Sequence, residues 1–456
     1  MEKTSKKILI KKIIKESILS STGHGFPNII RSEKWPFKIL WILSTLVSIG
    51  LCSLLIIQSI LLYFSYEVTT KIRVISEFKS EFPTITVCNI NFFTTQLITD
   101  TFGSDFNSTP DDFFFDLGFR DKIPKNLDLK LFGDSKEKLI KTAKESIYSI
   151  NMSQIKYFYH PEHGNCYQIN SGFDQNGHQV PLITFLRPGR IAAISLILNV
   201  SLHQELRKHN MNMAGIIFIH NKTQSPLSVD GVIVSPGFIT NIGLMRTFSH
   251  QKPKPYSSCD GSVDKMENYD SNLYKLILAK TKFYHRKVCI DLCYQEQLII
   301  KCNCTDSVVE SVFEHNHCQF DDVCLNEVYD YTFKNVDKIC YSKCPFECDK
   351  FVYTKMISIN KFGEEWKKSY ETFYGLENRT IGDELAVVRI YYEALDFTEI
   401  TETPTLSIVS LIANIGGVIG LFLGLSVLSF VEVIDIIIQI LSLFFNKKIN
   451  LVALIN

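Results

Sequence analysis

The sequence predicts a membrane protein of the α+β class, with two transmembrane helices flanking a large disulfide-rich, β-rich extracellular domain. Three observations predict it: two uncharged apolar runs near the ends of the 456-residue chain, twelve of thirteen cysteines between them, and Asn-x-Ser/Thr sequons confined to the same interval. Hydrophobic residues make up 46% of the chain and would allow several soluble domains if evenly spread, but they gather at the two ends. Because 48 Lys and Arg balance 48 Asp and Glu, no surplus basic face is left for a nucleic-acid partner, and 12% aromatic residues exclude a disordered chain.

Taken in order, residues 1–38 carry Lys3, Lys6, Lys7, Lys11, Lys12, Lys15, Arg31, Lys34 and Lys38 against Glu2, Glu16 and Glu33. By the positive-inside rule this segment is cytosolic. The first run, Ile39 to Tyr66, holds about 28 uncharged residues. About 20 such residues, rising roughly 1.5 Å each, already cross a hydrocarbon core of about 30 Å. A cleaved signal has an apolar region of only about 7–15 residues close to the start, so this run reads as a retained span. The second run is uncharged from Thr403 to Val431, meets Glu432 and Asp435, and continues apolar to Asn446, before Lys447 and Lys448. A buried core helix competes with the span reading here, since the run is glycine-rich. The predicted organisation is therefore cytosolic 1–38, transmembrane helix 1 at 39–66, extracellular 67–403, transmembrane helix 2 and pore at 404–446, and a cytosolic tail at 447–456.

Between the spans, Ser195–Val200, Gly215–His220, Gly231–Val234 and Leu385–Tyr392 read as strands, being short β-branched or apolar runs with Gly, Pro or Asn breaks. Lys136 to Tyr148 has the mixed-charge composition of a surface helix. Sequons stand at Asn107, Asn151, Asn199, Asn221, Asn303 and Asn378, and all but Asn303 are retained as glycosylation candidates. Cys52 lies inside the first span as a small apolar filler, and the twelve others form an even set that reads as six disulfides. Nine of them fall in about sixty residues from Cys289 to Cys348, without the CxxC-like pairs of structural zinc, so the stretch reads as a disulfide-stapled stiff lever and no metal is expected. No catalytic motif is present, and His163 and His220 read as surface or structural histidines; the chain is not expected to be an enzyme and implies no cofactor.

The second run carries the chemistry. In Asn414-Ile-Gly-Gly-Val-Ile-Gly-Leu-Phe-Leu-Gly-Leu-Ser426, Gly416, Gly420 and Gly424 recur every fourth residue along one helix stripe. Each interior glycine costs about 1 kcal/mol relative to alanine, so three together imply a use. Small-residue helix packing is one such use, and a bare backbone facing a water-filled axis, with a break near Gly424-Leu425-Ser426, is another. Glu432 and Asp435, three apart, share one helical face; in a symmetric oligomer they would form acidic rings that attract cations, or else lie at the cytosolic boundary.

These residues resemble the epithelial sodium channel, degenerin and acid-sensing ion channel family. The resemblance rests on His24-Gly25, Phe82-Pro83-x-Ile85-Thr86-Val87-Cys88-Asn89, Gly164-Asn165-Cys166-Tyr167, Cys344-Pro345-x-Glu347-Cys348, Tyr391-Tyr392-Glu393 and Gly416-Gly417-x-x-Gly420-Leu421-Phe422-x-Gly424-Leu425-Ser426. It implies a trimeric channel in the plasma membrane with an amiloride-sensitive, sodium-selective pore, permeant Na+ and sister subunits as partners. It assigns Gly424, Leu425 and Ser426 to the selectivity filter, His24 and Gly25 to a re-entrant loop supporting it, and Glu432, with Asp435 near it, to the pore acids. Ala413 and Asn414 fall at the gate position, Gly416, Gly417 and Gly420 among the pore glycines, and Tyr256, Leu395 and Asp396 at coupling positions. The family register implies the pairs Cys88–Cys166, Cys259–Cys348, Cys289–Cys344, Cys293–Cys340, Cys302–Cys324 and Cys304–Cys318.

Departures from the family pattern bear on gating. Ser65-Tyr66-Glu67-Val68-Thr69 lacks the histidines that acid-sensing members carry after the first span, Leu395-Asp396 replaces their Leu-Asn desensitisation swivel, and a cysteine pair common before Gly-x-Cys-Tyr is missing. The tails, short and without Pro-Pro-x-Tyr, resemble the peptide-gated branch. The expected function is a sodium channel subunit opened by an extracellular neuropeptide. Proton-gated or constitutive channels of the same family, or a non-conducting adhesion or receptor subunit, are the alternatives.

Overall fold

The computed structural model describes residues 2–445 apart from 22, 24, 104–126, 208–211, 262, 264, 282, 314, 320–321, 364, 366, 369–371 and 373–383. His24, Asn107 and Asn378 lie outside the described residues. Residues 1–69 with 403–456 make one compact unit and 70–402 a second.

Three helices lead the chain, α1 (Glu2–Ser20), α2 (Gly25–Arg31) and α3 (Trp35–Phe64). Pro36 sits in the first turn of α3, where a missing N–H leaves no hydrogen bond unmade, and the Ser65 N–H closes the helix on the Leu61 carbonyl at 3.0 Å. Its 30 residues exceed the length a bilayer requires, and Cys52, free and buried, lies within it.

The larger unit is built on strands β1 (Val68–Ile75), β2 (Ser80–Glu81), β3 (Thr84–Asn89), β4 (Ile140–Glu145), β5 (Tyr148–Ser149), β6 (Lys156–His160) and β7 (Gly164–Ile169). They are followed by β8 (Thr184–Phe185), β9 (Ile194–Asn199), β10 (Gly215–His220), β11 (Val232–Val234), β12 (Phe238–His250), β13 (Asp349–Lys361) and β14 (Leu385–Pro404). A five-stranded sheet runs β11-β10-β3-β7-β6; a seven-stranded one runs β13-β12-β14-β9-β4-β5, with β1 joined to β14. Every residue of β3, β7 and β10 is buried, but only β10 is a near-continuous apolar run; β3 and β7 bury polar side chains that are hydrogen-bonded, as Thr86 is to His220 Nε2 at 2.9 Å and Asn165 Nδ2 to the Lys130 carbonyl at 2.8 Å. One core gathers Ile85, Val87, Ile217 and Ile219 from the first sheet with Leu196, Leu198, Ile242 and Val388 from the second. Gly164 opens β7 at φ 68°, and a Cβ there would meet the Phe92 ring at 3.2 Å, so only glycine fits the turn.

The cysteine-rich stretch folds as helices α4 (Asn272–Thr281), α5 (Arg286–Cys302), α6 (Val323–Lys334) and α7 (Val336–Ile339). Cys289 and Cys293, one turn apart on the buried face of α5, join Cys344 and Cys340; Cys302 joins Cys324 and Cys304 joins Cys318. Cys259 joins Cys348, and Cys88 joins Cys166 directly across the β3–β7 pair. The chain closes with α8 (Ile408–Leu423) and α9 (Val427–Phe445).

Two expectations need correcting. Lys136 to Tyr148 is not one helix: a single turn, Lys136–Leu139, gives way to β4 and β5, because pairing of β4 with β9 outweighs the local composition. Asn199 is a poor glycan acceptor, being 1% exposed at the end of β9, where its Oδ1 accepts the Ser201 N–H at 3.0 Å. A glycan on Asn199 Nδ2 would have to occupy the core. Asn151 and Asn303 are exposed and Asn221 is half-buried.

Candidate functional site

In the smaller unit the second apolar run is broken. Ser407 caps α8 by accepting the Ser410 N–H at 3.1 Å, and α8 ends at Gly424, whose φ of 68° is left-handed and whose N–H reaches the Gly420 carbonyl at 3.0 Å. Leu425 and Ser426 turn the chain, and α9 leaves at 74° to α8. The start of α9 is closed by a reciprocal cap: the buried Ser429 hydroxyl accepts the Ser426 N–H at 3.0 Å, and the Ser429 N–H returns to the Ser426 carbonyl at 3.0 Å. Gly424 is therefore not a third member of a helix stripe. It is a C-cap, and the break it makes is satisfied on both sides.

Gly416 and Gly417 lie in α8 with no described atom within 4 Å of an ideal Cβ, although α8 packs along α3. The glycine face is thus not consumed by that packing. Ala413 and Asn414 are exposed one turn earlier. Glu432 and Asp435 follow on α9, where Gln439 donates to the Asp435 carboxylate at 2.8 Å. At the amino end, a Cβ on Gly25 would stand 2.6 Å from the Thr45 hydroxyl of α3, and one on Gly23 would stand 3.4 Å from Leu425 Cδ2. The segment carrying Gly25 therefore lies against the bend. The chain enters and leaves this unit side by side: the Thr405 N–H donates to the Glu67 carbonyl at 2.9 Å and the Thr403 hydroxyl to the Thr69 carbonyl at 3.3 Å.

In the larger unit Leu395 and Asp396 lie in a bulge. The parallel β12–β14 register runs to Leu244 opposite Tyr392 and resumes at Arg246 opposite Phe397, so Met245 alone faces residues 393–396. Arg246, 6% exposed, clasps this bulge. Its guanidinium donates to Glu77 Oε2 at 2.8 Å, to the Ser80 hydroxyl at 2.9 Å and to the Leu395 carbonyl, and it lies 4.9 Å from the Tyr392 ring centre. Burial alone would raise the Glu77 carboxyl, but hydrogen bonds from Ser80 and Arg246 and the guanidinium charge hold it below its ordinary range. Nothing local in the sequence marks Arg246, whose partners lie 149 to 169 residues away. Tyr256, half-buried, sits in the loop before Cys259, its N–H on the Pro253 carbonyl at 3.1 Å. His220 is a buried, neutral histidine, pushed down to about 4 by burial, with Nε2 2.9 Å from the Thr86 hydroxyl.

A family profile described as "Amiloride-sensitive sodium channel" matches residues 18–436. The chain belongs to the amiloride-sensitive sodium channel family. This is a family of ion channels, not of enzymes. Within the amiloride-sensitive sodium channel family, the chain is 27% identical over 330 residues to the epithelial sodium channel subunit gamma of Neoceratodus forsteri, covering 69% of this chain and 48% of that one. It is 24% identical over 453 residues to acid-sensing ion channel 1 of Gallus gallus, covering 91% and 82%, and 24% identical over 469 residues to the bile acid-sensitive ion channel of Homo sapiens, covering 93% and 85%. The chain spans about half the length of the gamma subunits of Neoceratodus forsteri and Xenopus laevis that it matches. A cryo-EM structure of a proton-activated chloride channel aligns with 88% of the chain at a TM-score of 0.33 and 8% identity, a likeness too low to carry an argument.

Proposed function

We propose that this chain is a subunit of a trimeric, sodium-selective, amiloride-sensitive channel of the plasma membrane, with both termini cytosolic and an extracellular peptide as its opening ligand. The observation that carries the reading is the capped break at Gly424-Leu425-Ser426 inside an apolar run, followed by Glu432 and Asp435. A helix broken at membrane depth turns backbone groups toward an aqueous path, and acids below it select for cations. His24 and Gly25 would brace the bend and Ala413 and Asn414 would gate it, while Tyr256, Leu395 and Asp396 would relay ectodomain movement. Copies of this chain or sister subunits complete the pore. Peptide rather than proton opening is favoured by the lack of histidine in Ser65–Thr69, since histidine is the side chain whose charge ordinarily changes near neutral pH. The test is sodium current in oocytes expressing the chain alone or with sister subunits, challenged with amidated peptides and acid. Current blocked by amiloride supports the reading, and none in any combination overturns it.

A specific observation favours proton opening as a second reading. Burial pushes the Asp291 carboxyl up to about 6 against the partial opposition of Lys287, and Glu310, beside it in the same cavity, is raised by burial and then by the Asp291 charge. A carboxyl with a raised folded value gives stability that is present in full below its unfolded value near 4 and is lost as pH rises through 6. Asp291→Asn is therefore expected to unfold later than the parent at pH 7.5, by up to about 3 kcal/mol, with no difference near pH 4. Thermal unfolding of the detergent-solubilised chain at the two pH values checks this, and equal midpoints at pH 7.5 would count against a buried, charge-averse Asp291.

A further inference from the structure

A cavity of about 580 Å³ opens between the five-stranded sheet and the cysteine-rich helices, and the channel reading uses none of its basic groups. Its volume falls in the range of small-molecule sites, about 300–1,000 Å³. One wall carries Lys156 and Phe158 of β6, with Phe173 in the loop after β7. The other carries Lys280, in the last turn of α4, and Phe283, in the link to α5. Phe173 and Phe283 are each 46% exposed, so the walls offer open aromatic rings beside ammonium groups.

Most polar side chains of the lining are already committed to the protein. Gln168 Nε2 donates to the Thr86 hydroxyl at 3.3 Å, Gln224 Nε2 donates to the Phe351 carbonyl at 3.3 Å, and His220 lies between Thr86 and the Asn221 carbonyl. His285 Nδ1 stands 3.1 Å from Glu347, and Lys222 Nζ stands 3.0 Å from Glu81, so each of these two has its own carboxylate. Lys156 and Lys280 differ from them. Neither forms an ion pair among the described residues, and the Lys156 ammonium instead stands 5.8 Å from the centre of the Phe173 ring. The lining holds a single carboxyl, Glu310, which burial and then the Asp291 charge push up toward its neutral form. The cavity is thus left positive, with two uncompensated ammonium groups facing apolar surface.

We propose that this cavity binds a small organic anion, a carboxylate carried on a flat aromatic body, with Lys156 and Lys280 supplying the charge and Phe173 and Phe283 the apolar contact. Ammonium and carboxylate form charge-assisted hydrogen bonds, and aromatic rings pair offset or edge to face. An inorganic anion would leave the rings unused, and a cation would be repelled by both lysines. Because Lys156 belongs to the sheet and Lys280 to the helices, a bound anion would bridge the two. The inference does not depend on the chain conducting ions, and its test reads binding alone.

The purified full chain in detergent is titrated with fluoronaphthoate, and binding is read from fluorine NMR line widths against detergent alone. Uncharged fluoronaphthamide and sodium chloride are the comparisons. The expected result is one fluoronaphthoate per chain with a Kd below about 1 mM, no displacement by chloride, and an amide that binds weaker by about tenfold or more. Lys156→Gln and Lys280→Gln each weaken binding by about tenfold, whereas Lys280→Arg, which keeps the charge, stays near the parent. Thermal unfolding of the variants alongside the parent shows that the fold is kept. Line widths no different from detergent alone, an amide that binds as tightly as the acid, displacement by chloride, or either glutamine variant binding as tightly as the parent would overturn the site.

Discussion

Replacing Arg246 with methionine is expected to destabilise the larger unit by about 3 kcal/mol, the lower end of the range for breaking a buried ion pair from one side. The lower end applies because Glu77 keeps 34% of its side chain in solvent and so is only partly stranded. The loss extends beyond charge. The Ser80 hydroxyl and the Leu395 carbonyl lose their guanidinium donor together, and the bulge at 393–396 loses its clasp. Arg246→Lys should recover less than half of the loss, since a point charge cannot reach Glu77, Ser80 and Leu395 at once as a planar fork does. Because Glu77 is held below its ordinary value, the clasp is intact above the unfolded carboxyl value and is lost as pH falls through the folded one. The lysine and methionine variants should therefore approach the parent in strong acid. Thermal unfolding of the three chains measures this, and a methionine variant as stable as the parent would remove Arg246 from the account.

The second large effect is on current. Gly424→Ala places a Cβ at φ 68°, a conformation that costs an L-residue about 1–2 kcal/mol. If the bent helix pair is the conducting form, that cost shifts the population away from it by roughly 5- to 30-fold. Sodium current per surface subunit should fall by that factor while the ectodomain unfolds as before, because no residue of the larger unit is altered. Unchanged current would mean that the left-handed cap is not part of the conducting form.

Some of this was legible in the sequence and some was not, for physical reasons that differ by site. Apolar runs and cysteine parity report burial and compartment, and they need no partner to be read; β10 at Gly215–His220 was likewise visible because all its residues are buried. Spacing alone cannot say which cysteine meets which, since that is decided by chain return, as when Cys88 finds Cys166 across a strand pair 78 residues on. Lys136 to Tyr148 misread as helix because its charges are those of a surface, and only pairing with β9 makes it strand. Asn199 satisfies a glycosylation pattern that knows nothing of burial. Periodicity placed Gly424 on a stripe, whereas its dihedral makes it a cap; the break itself was suggested by glycine density but not its 74° angle. Arg246 was invisible as a site because its partners are distant in sequence.

The central claim is that cations pass at the bend between α8 and α9. Ser426→Cys, expressed alone and with sister subunits, is treated from outside with a cationic thiol reagent while sodium current is recorded. The account predicts amiloride-sensitive current that the reagent reduces in the cysteine variant and leaves untouched in the parent. Sodium current of full size in the modified variant would contradict it.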